Sequence, residues 1–128
     1  MSGYINTLEE ITEQNESFRK VLYTGSYCQL VVMSLKPGED IGTEVHHTVD
    51  QFFRVEDGEG TVIMDGEETS FRNGHGIIVP AGTEHNIINT SKDKTLKLYT
   101  LYAPPNHPDK TEHKTKDEAD EYERTHHE

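Results

Sequence analysis

Four glycine-bearing turns punctuate the middle of this chain: Asp57-Gly58-Glu59-Gly60, Asp65-Gly66, Asn73-Gly74 and Pro80-Ala81-Gly82. The pieces between them are short, apolar and rich in β-branched residues, such as Thr61-Val62-Ile63-Met64 and Gly76-Ile77-Ile78-Val79. Turn signals at intervals of about eight to twelve residues leave no room for helices between strands, so a parallel α/β sheet is excluded. The pattern predicts an all-β sandwich or barrel of at least seven strands. Asp65-Gly66 and Asn73-Gly74 each read as a two-residue hairpin turn, because both central residues tolerate positive φ.

The other expected strands are Gln29 to Leu35, Phe52 to Glu56, Glu68 to Arg72, His85 to Asn89 and Leu96 to Tyr102. Pro104-Pro105 ends the last of them. Around Leu8 and Ile11 the spacing fits a short helix, with Thr7 as cap and Glu10 three residues on. The polar tail 106–128 is expected to carry a second short helix beyond Thr115. One domain over residues 1–128 suits this length. The Gln29 to Leu35 run is apolar on both faces, which suits a strand covered in a homodimer.

Lys and Arg number 12 against 24 Asp and Glu, a net charge of −12. That surface disfavours nucleic acid and anionic membranes alike. With a single cysteine, Cys28, neither an intrachain disulfide nor a cysteine-rich zinc site can form, and Cys28 reads as a buried, inert thiol. No long apolar segment or charged-then-apolar leader is present, so the expected location is the cytoplasm.

The chemistry concentrates in EVHHTVDQFF, residues 44–53. On a strand, Glu44 and His46 share a face while His47 points away. With Gln51 facing inward, a hairpin brings Glu44, His46 and Gln51 to one patch, and His85 can complete a set of four. Phe53 shares the parity of Gln51 and is expected to line the pocket. Tyr102 shares parity with Leu96 and Leu98, whereas Tyr99 faces the other way. Arg54 is expected outside, in an ion pair. His75 reads as structural, His107 and His113 as surface loop, and His126 and His127 as tail.

These residues carry a resemblance to the cupin superfamily. Its first motif is matched in spacing by Gly38, Glu44, His46, Gln51 and Gly58, and its second by Gly74, Pro80, Gly82, His85 and Asn89. The motif core spans 38–89. The resemblance implies a jelly-roll barrel with short terminal helices and a divalent metal on Glu44, His46, Gln51 and His85. The sequence departs from the pattern twice: Glu44 replaces a histidine, and Gln51 replaces the glutamate. One carboxylate and two histidines remain, a set that suits Fe(II), Mn(II), Ni(II) or Zn(II). Gln51 offers a weaker, neutral oxygen.

The pattern looks like the small bacterial cupins called mannose-6-phosphate isomerase-like. That likeness implies a small-molecule site in which the metal acts as a Lewis acid, with Glu44 as ligand or general base in a sugar or sugar-phosphate isomerisation. An Fe(II)-dependent dioxygenase, a non-catalytic small-ligand binder and a metal-free structural barrel are the alternatives. The absence of a Lys/Arg cluster counts against phosphorylated substrates.

Overall fold

The structure is a computed structural model and describes residues 3–126. His127 of the tail lies outside the described residues. A short helix, α1 (Leu8–Gln14), leads into β1 (Arg19–Thr24) and β2 (Gln29–Leu35). Then come β3 (Asp50–Asp57), β4 (Glu59–Met64), β5 (Glu67–Arg72), β6 (Gly76–Val79), β7 (His85–Asn89) and β8 (Leu96–Ala103). The two-residue β9 (Glu112–His113) and the helix α2 (Lys116–His126) complete the chain. Two antiparallel sheets face each other, one of six strands in the order β6-β3-β8-β2-β1-β9 and one of three in the order β5-β4-β7. This is the expected all-β jelly roll.

The core lies between the sheets and follows strand parity. Val55, Leu98 and Met33 sit side by side across β3, β8 and β2, and Phe53, Thr100 and Val31 form the next row. All six are buried. Asp65-Gly66 makes the predicted hairpin between β4 and β5, with φ of 48° and 85°. Gly60 is required for a different reason. A Cβ there would lie 2.2 Å from the Ile88 carbonyl oxygen and 2.7 Å from the Phe71 ring, so β4 can sit between β5 and β7 only without a side chain.

Several expectations change. Asn73-Gly74 joins no hairpin, because β5 and β6 belong to different sheets. Only Gly74 takes positive φ there, and His75 Nδ1 accepts the Arg72 N–H at 3.0 Å, bending the chain between the sheets. The Thr7 side chain does not cap α1; instead Asn6 Oδ1 accepts the Thr7 N–H. Strand β1, hidden in a region that reads as helical and loop-like, pairs along the edge of β2. The outer face of β2 is met within the chain: α1 packs on the six-stranded sheet over β8 and β3, and Ile11 shares a groove with Val32 and Leu22. The two-faced apolar run therefore needs no second copy to cover it. Cys28, expected buried, is half-exposed just ahead of β2.

Candidate metal centre

Between β2 and β3 the chain crosses the three-stranded sheet without forming a full strand. Gly42 takes φ of 102° in this stretch. Bridges from Asp40 to Ile88 and from Glu44 to His85 hold it along β7, with the Ile41 N–H donating to the Ile87 carbonyl at 3.0 Å between them. Glu44 therefore pairs with β7, and the hairpin expected between Glu44 and Gln51 does not form. The 80–82 turn fixes the next residues: Gly82 N–H donates to the His46 carbonyl at 2.8 Å, and Asp50 Oδ1 accepts the Ala81 N–H at 2.8 Å.

One side-chain atom each from Glu44, His46 and His85 falls within 4.8 Å of the others. The two imidazole rings are 5.5 Å apart, and the Phe53 ring stands 6.5 Å from His85. Gln51, 3% exposed, reaches the same interior from β3, in register with Tyr102. His47 is exposed, as its parity predicts. Tyr102 is buried with its ring 6.0 Å from His46, while Tyr99 faces outward onto Phe52. Arg54 lies outside and meets Glu56 at 3.7 Å.

The hydrogen bonds leave a consistent remainder. Gln51 Nε2 donates to Thr100 Oγ1 at 3.0 Å, which turns its carbonyl oxygen away from that partner. His85 Nδ1 lies 3.0 Å from the Thr83 carbonyl, which fixes that nitrogen as the N–H and leaves Nε2 with a free lone pair. His46 Nε2, His85 Nε2 and Gln51 Oε1 are all buried without a hydrogen-bond partner among the described residues. Buried polar atoms are rarely orphaned, and the two imidazoles, clustered with Glu44, fit a shared cation. Glu44 supplies the charge. Burial pushes its carboxyl up, but the His46 imidazole, 3.6 Å away and beyond hydrogen-bond distance, together with Arg19 and His85, holds it below its ordinary value. The donor set, two imidazoles, one carboxylate and one amide oxygen, suits a divalent transition metal.

Sequence reasoning missed two neighbours of this centre. His107 is folded back over the barrel, and its Nε2 lies 3.2 Å from the Tyr102 hydroxyl. The reason is Gln29, which is fully buried. Its Oε1 accepts the Asn106 and His107 N–H groups, and its Nε2 donates to the His107 carbonyl at 2.7 Å. Burial, then the charge of Arg19, lowers the His107 pKa to about 3. Tyr102 is pushed up to about 12, chiefly by burial, against the charge of Arg19. His113 is buried as well, paired with Arg19 across β1 and β9. Arg19 is the second omission, and its only signal was the β-forming run Val21-Leu22-Tyr23-Thr24 just beyond it.

A cleft of about 500 Å3 opens above the centre, lined by Glu44, His46 and His107 below and by Tyr122, Glu123 and His126 of α2 above. Lys116 ties α2 down: its Nζ meets Asp40 Oδ1 at 2.9 Å, and Asp40 Oδ2 accepts from Asn86 Nδ2 at 2.8 Å.

A two-sheet jelly roll with such a centre inside it defines a cupin. The match is direct: the cupin domain aligns with residues 31–102, and the chain belongs to that family. It is 48% identical over 122 residues to the uncharacterized protein YrkC of Bacillus subtilis (strain 168), covering 91% of this chain and 65% of YrkC. It is 42% identical over 109 residues to the uncharacterized protein L612 of Acanthamoeba polyphaga mimivirus, covering 82% of this chain and 68% of that protein. The chain thus spans about two thirds of both relatives. The crystal structure of BH2720 from Bacillus halodurans superposes with a TM-score of 0.90 at 42% identity, covering 92% of this chain and 93% of that one.

Proposed function

We propose that this cupin is a divalent-metal-dependent enzyme that moves a proton next to a carbonyl of a small, oxygen-rich molecule, in the manner of an isomerase. The observation that carries the reading is the cluster of Glu44, His46 and His85, whose donor atoms lie within 4.8 Å of one another, with both imidazole Nε2 atoms orphaned and with Glu44 and His46 opening onto a cleft. A metal held by Glu44, His46 and His85, with Gln51 as a fourth donor, supplies Lewis acidity to a carbonyl. Proton transfer also needs one group that keeps its proton near neutral pH and one that has lost it. Tyr102, pushed up to about 12, keeps its proton, and Glu44, held low, has lost its own. The His107 imidazole stays neutral above about pH 3 and fixes the Tyr102 hydroxyl. Phe53 and Tyr102, expected to line the pocket, are buried behind the two imidazoles and do not border the cleft. The acid–base pair favours the isomerase reading over an Fe(II) dioxygenase, which needs the ligands but no such pair. A sugar is the substrate class that the mannose-6-phosphate isomerase-like pattern suggests, and the cytoplasm is the location proposed with it.

Metal analysis of protein purified without a histidine tag tests this. About one equivalent of Mn, Fe, Ni or Zn is expected, lost in the His46→Ala/His85→Ala double variant. Folded protein that refuses all four metals overturns the reading.

A homodimer remains part of the proposal. Ile78, 67% exposed on the edge strand β6, gives it a surface, and a monomeric mass in light scattering removes it.

A further inference from the structure

Arg19 carries a permanent positive charge into the barrel interior, at 4% exposure. Its strand position dictates this. Arg19 lies opposite Met33 on one side and His113 on the other, in the row that continues through Leu98 to Val55. A guanidinium among such neighbours costs folding energy unless an anion meets it. Among the described residues, no carboxylate lies at ion-pair distance from it. Its Nε is buried and makes no hydrogen bond among the described residues, and the Tyr102 hydroxyl, which the guanidinium also acts on, is a neutral partner that brings no counter-charge. The group stacks over the Phe18 ring at 5.4 Å, which fixes its plane without neutralising it. Glu44 feels its charge but is already grouped with His46 and His85 in the candidate metal centre. A cavity of about 170 Å3 is lined by both Arg19 and Glu44, together with Ile41, Gly42 and Thr43 and with Asp120 and Glu123 of α2.

We infer that Arg19 receives a carboxylate of the substrate in this cavity, beside the metal centre. The inference deepens the proposed function, since it makes the molecule that presents its carbonyl to the metal a carboxylic acid. A single guanidinium fork matches one carboxylate in a bidentate pair. A phosphate dianion would bring twice the charge against Asp120, Glu123 and Glu44, with only one cation to offset it.

The test uses 15N-labelled protein, zinc-loaded and metal-free, titrated with glycolate and, separately, with inorganic phosphate. The Arg19 Nε–H resonance, assigned by its loss in Arg19→Lys, is the readout. Glycolate is expected to move it saturably and to bind at least about tenfold more tightly than phosphate, as a charge-assisted pair allows. Arg19→Lys keeps the charge and loses the fork. It is expected to weaken glycolate by about tenfold while zinc affinity stays within about threefold. The inference is overturned if glycolate saturates without moving the resonance, if it does not bind, if phosphate binds more tightly, or if the lysine variant binds glycolate as well as wild type. Should Arg19→Lys fail to fold, the resonance is identified by elimination and the wild-type titration decides alone. Should zinc not bind, the metal reading falls by itself, and the metal-free titration still decides Arg19.

Discussion

Glu44 and His85 exchange both of their backbone hydrogen bonds, each N–H donating to the other's carbonyl at 2.9 Å. Two donors of the candidate centre, forty-one residues apart, are therefore held by main chain rather than by side-chain packing. Their spacing does not depend on which side chain position 44 carries.

Glu44→Gln should thus leave the fold intact while removing the centre's only formal ligand charge. Metal affinity is expected to fall by at least about 10–100-fold, the range that even outer-sphere partners of a metal command. Competition with a chelator of known affinity, alongside a thermal melt of the metal-free protein, gives both numbers. Unchanged affinity would mean that Glu44 does not hold the ion.

Gly60→Ala is expected to cost about 3 kcal/mol or more, at the upper end of overpacking, because the new Cβ would meet the Ile88 backbone oxygen at 2.2 Å. Gly66→Ala meets nothing within 4 Å and suffers only from its φ of 85°, so about 1 kcal/mol is expected. Urea unfolding of the pair separates a clash from a backbone preference.

His107 makes stability depend on acid. Below pH 6.5 the unfolded chain takes up a proton at this imidazole, and the folded chain refuses it until about pH 3. Stability in the metal-free protein should fall as the pH drops through that window, by at most about 1.4 kcal/mol per pH unit from this group. His107→Asn should flatten the slope. An identical slope in the variant would show that the imidazole titrates normally.

Asp40 is held below its ordinary value: burial raises it, and the Asn86 hydrogen bond and the Lys116 bond and charge outweigh that. Its contribution is present above the unfolded carboxylate range and is lost as the pH falls through the lowered value. The pair is partly solvated, so Asp40→Asn should cost only about 0.5–1 kcal/mol. Hydrogen exchange should localise the effect, with α2 amides opening faster and the barrel strands unchanged. Uniformly faster exchange would contradict an anchoring role.

The barrel is legible in the sequence because a strand with one buried face writes its parity openly. Phe53, Val55, Leu98 and Tyr102 can be sorted by counting alone. Parity along a hairpin puts Glu44 beside His46, although a bridge to β7 is what positions Glu44. The family spacing locates the right positions by another route. What stays hidden depends on contacts between distant segments. His107 reads as a loop histidine because nothing nearby in sequence announces that Gln29, seventy-eight residues earlier, clamps its backbone. Arg19 escapes notice because β1 lies at the edge of a region with helical spacing, and a charged residue on a short strand reads as exposed unless the strand's partners are known. Asn73-Gly74 misleads for the opposite reason: local turn chemistry cannot tell a hairpin from a crossing between sheets.

The helix over the mouth carries Asp117, Glu118, Asp120, Glu121 and Glu123 on a chain of net charge −12. Such a field gathers cations at the entrance and turns anions back. Loading with a divalent ion should be fast at low ionic strength and slow as salt is added. A carboxylate guest should show the reverse, arriving faster once salt screens the acidic gate beyond a Debye length of about 10 Å at 0.1 M. The barrel would then admit its metal and its ligand under opposite electrostatic conditions through a single door.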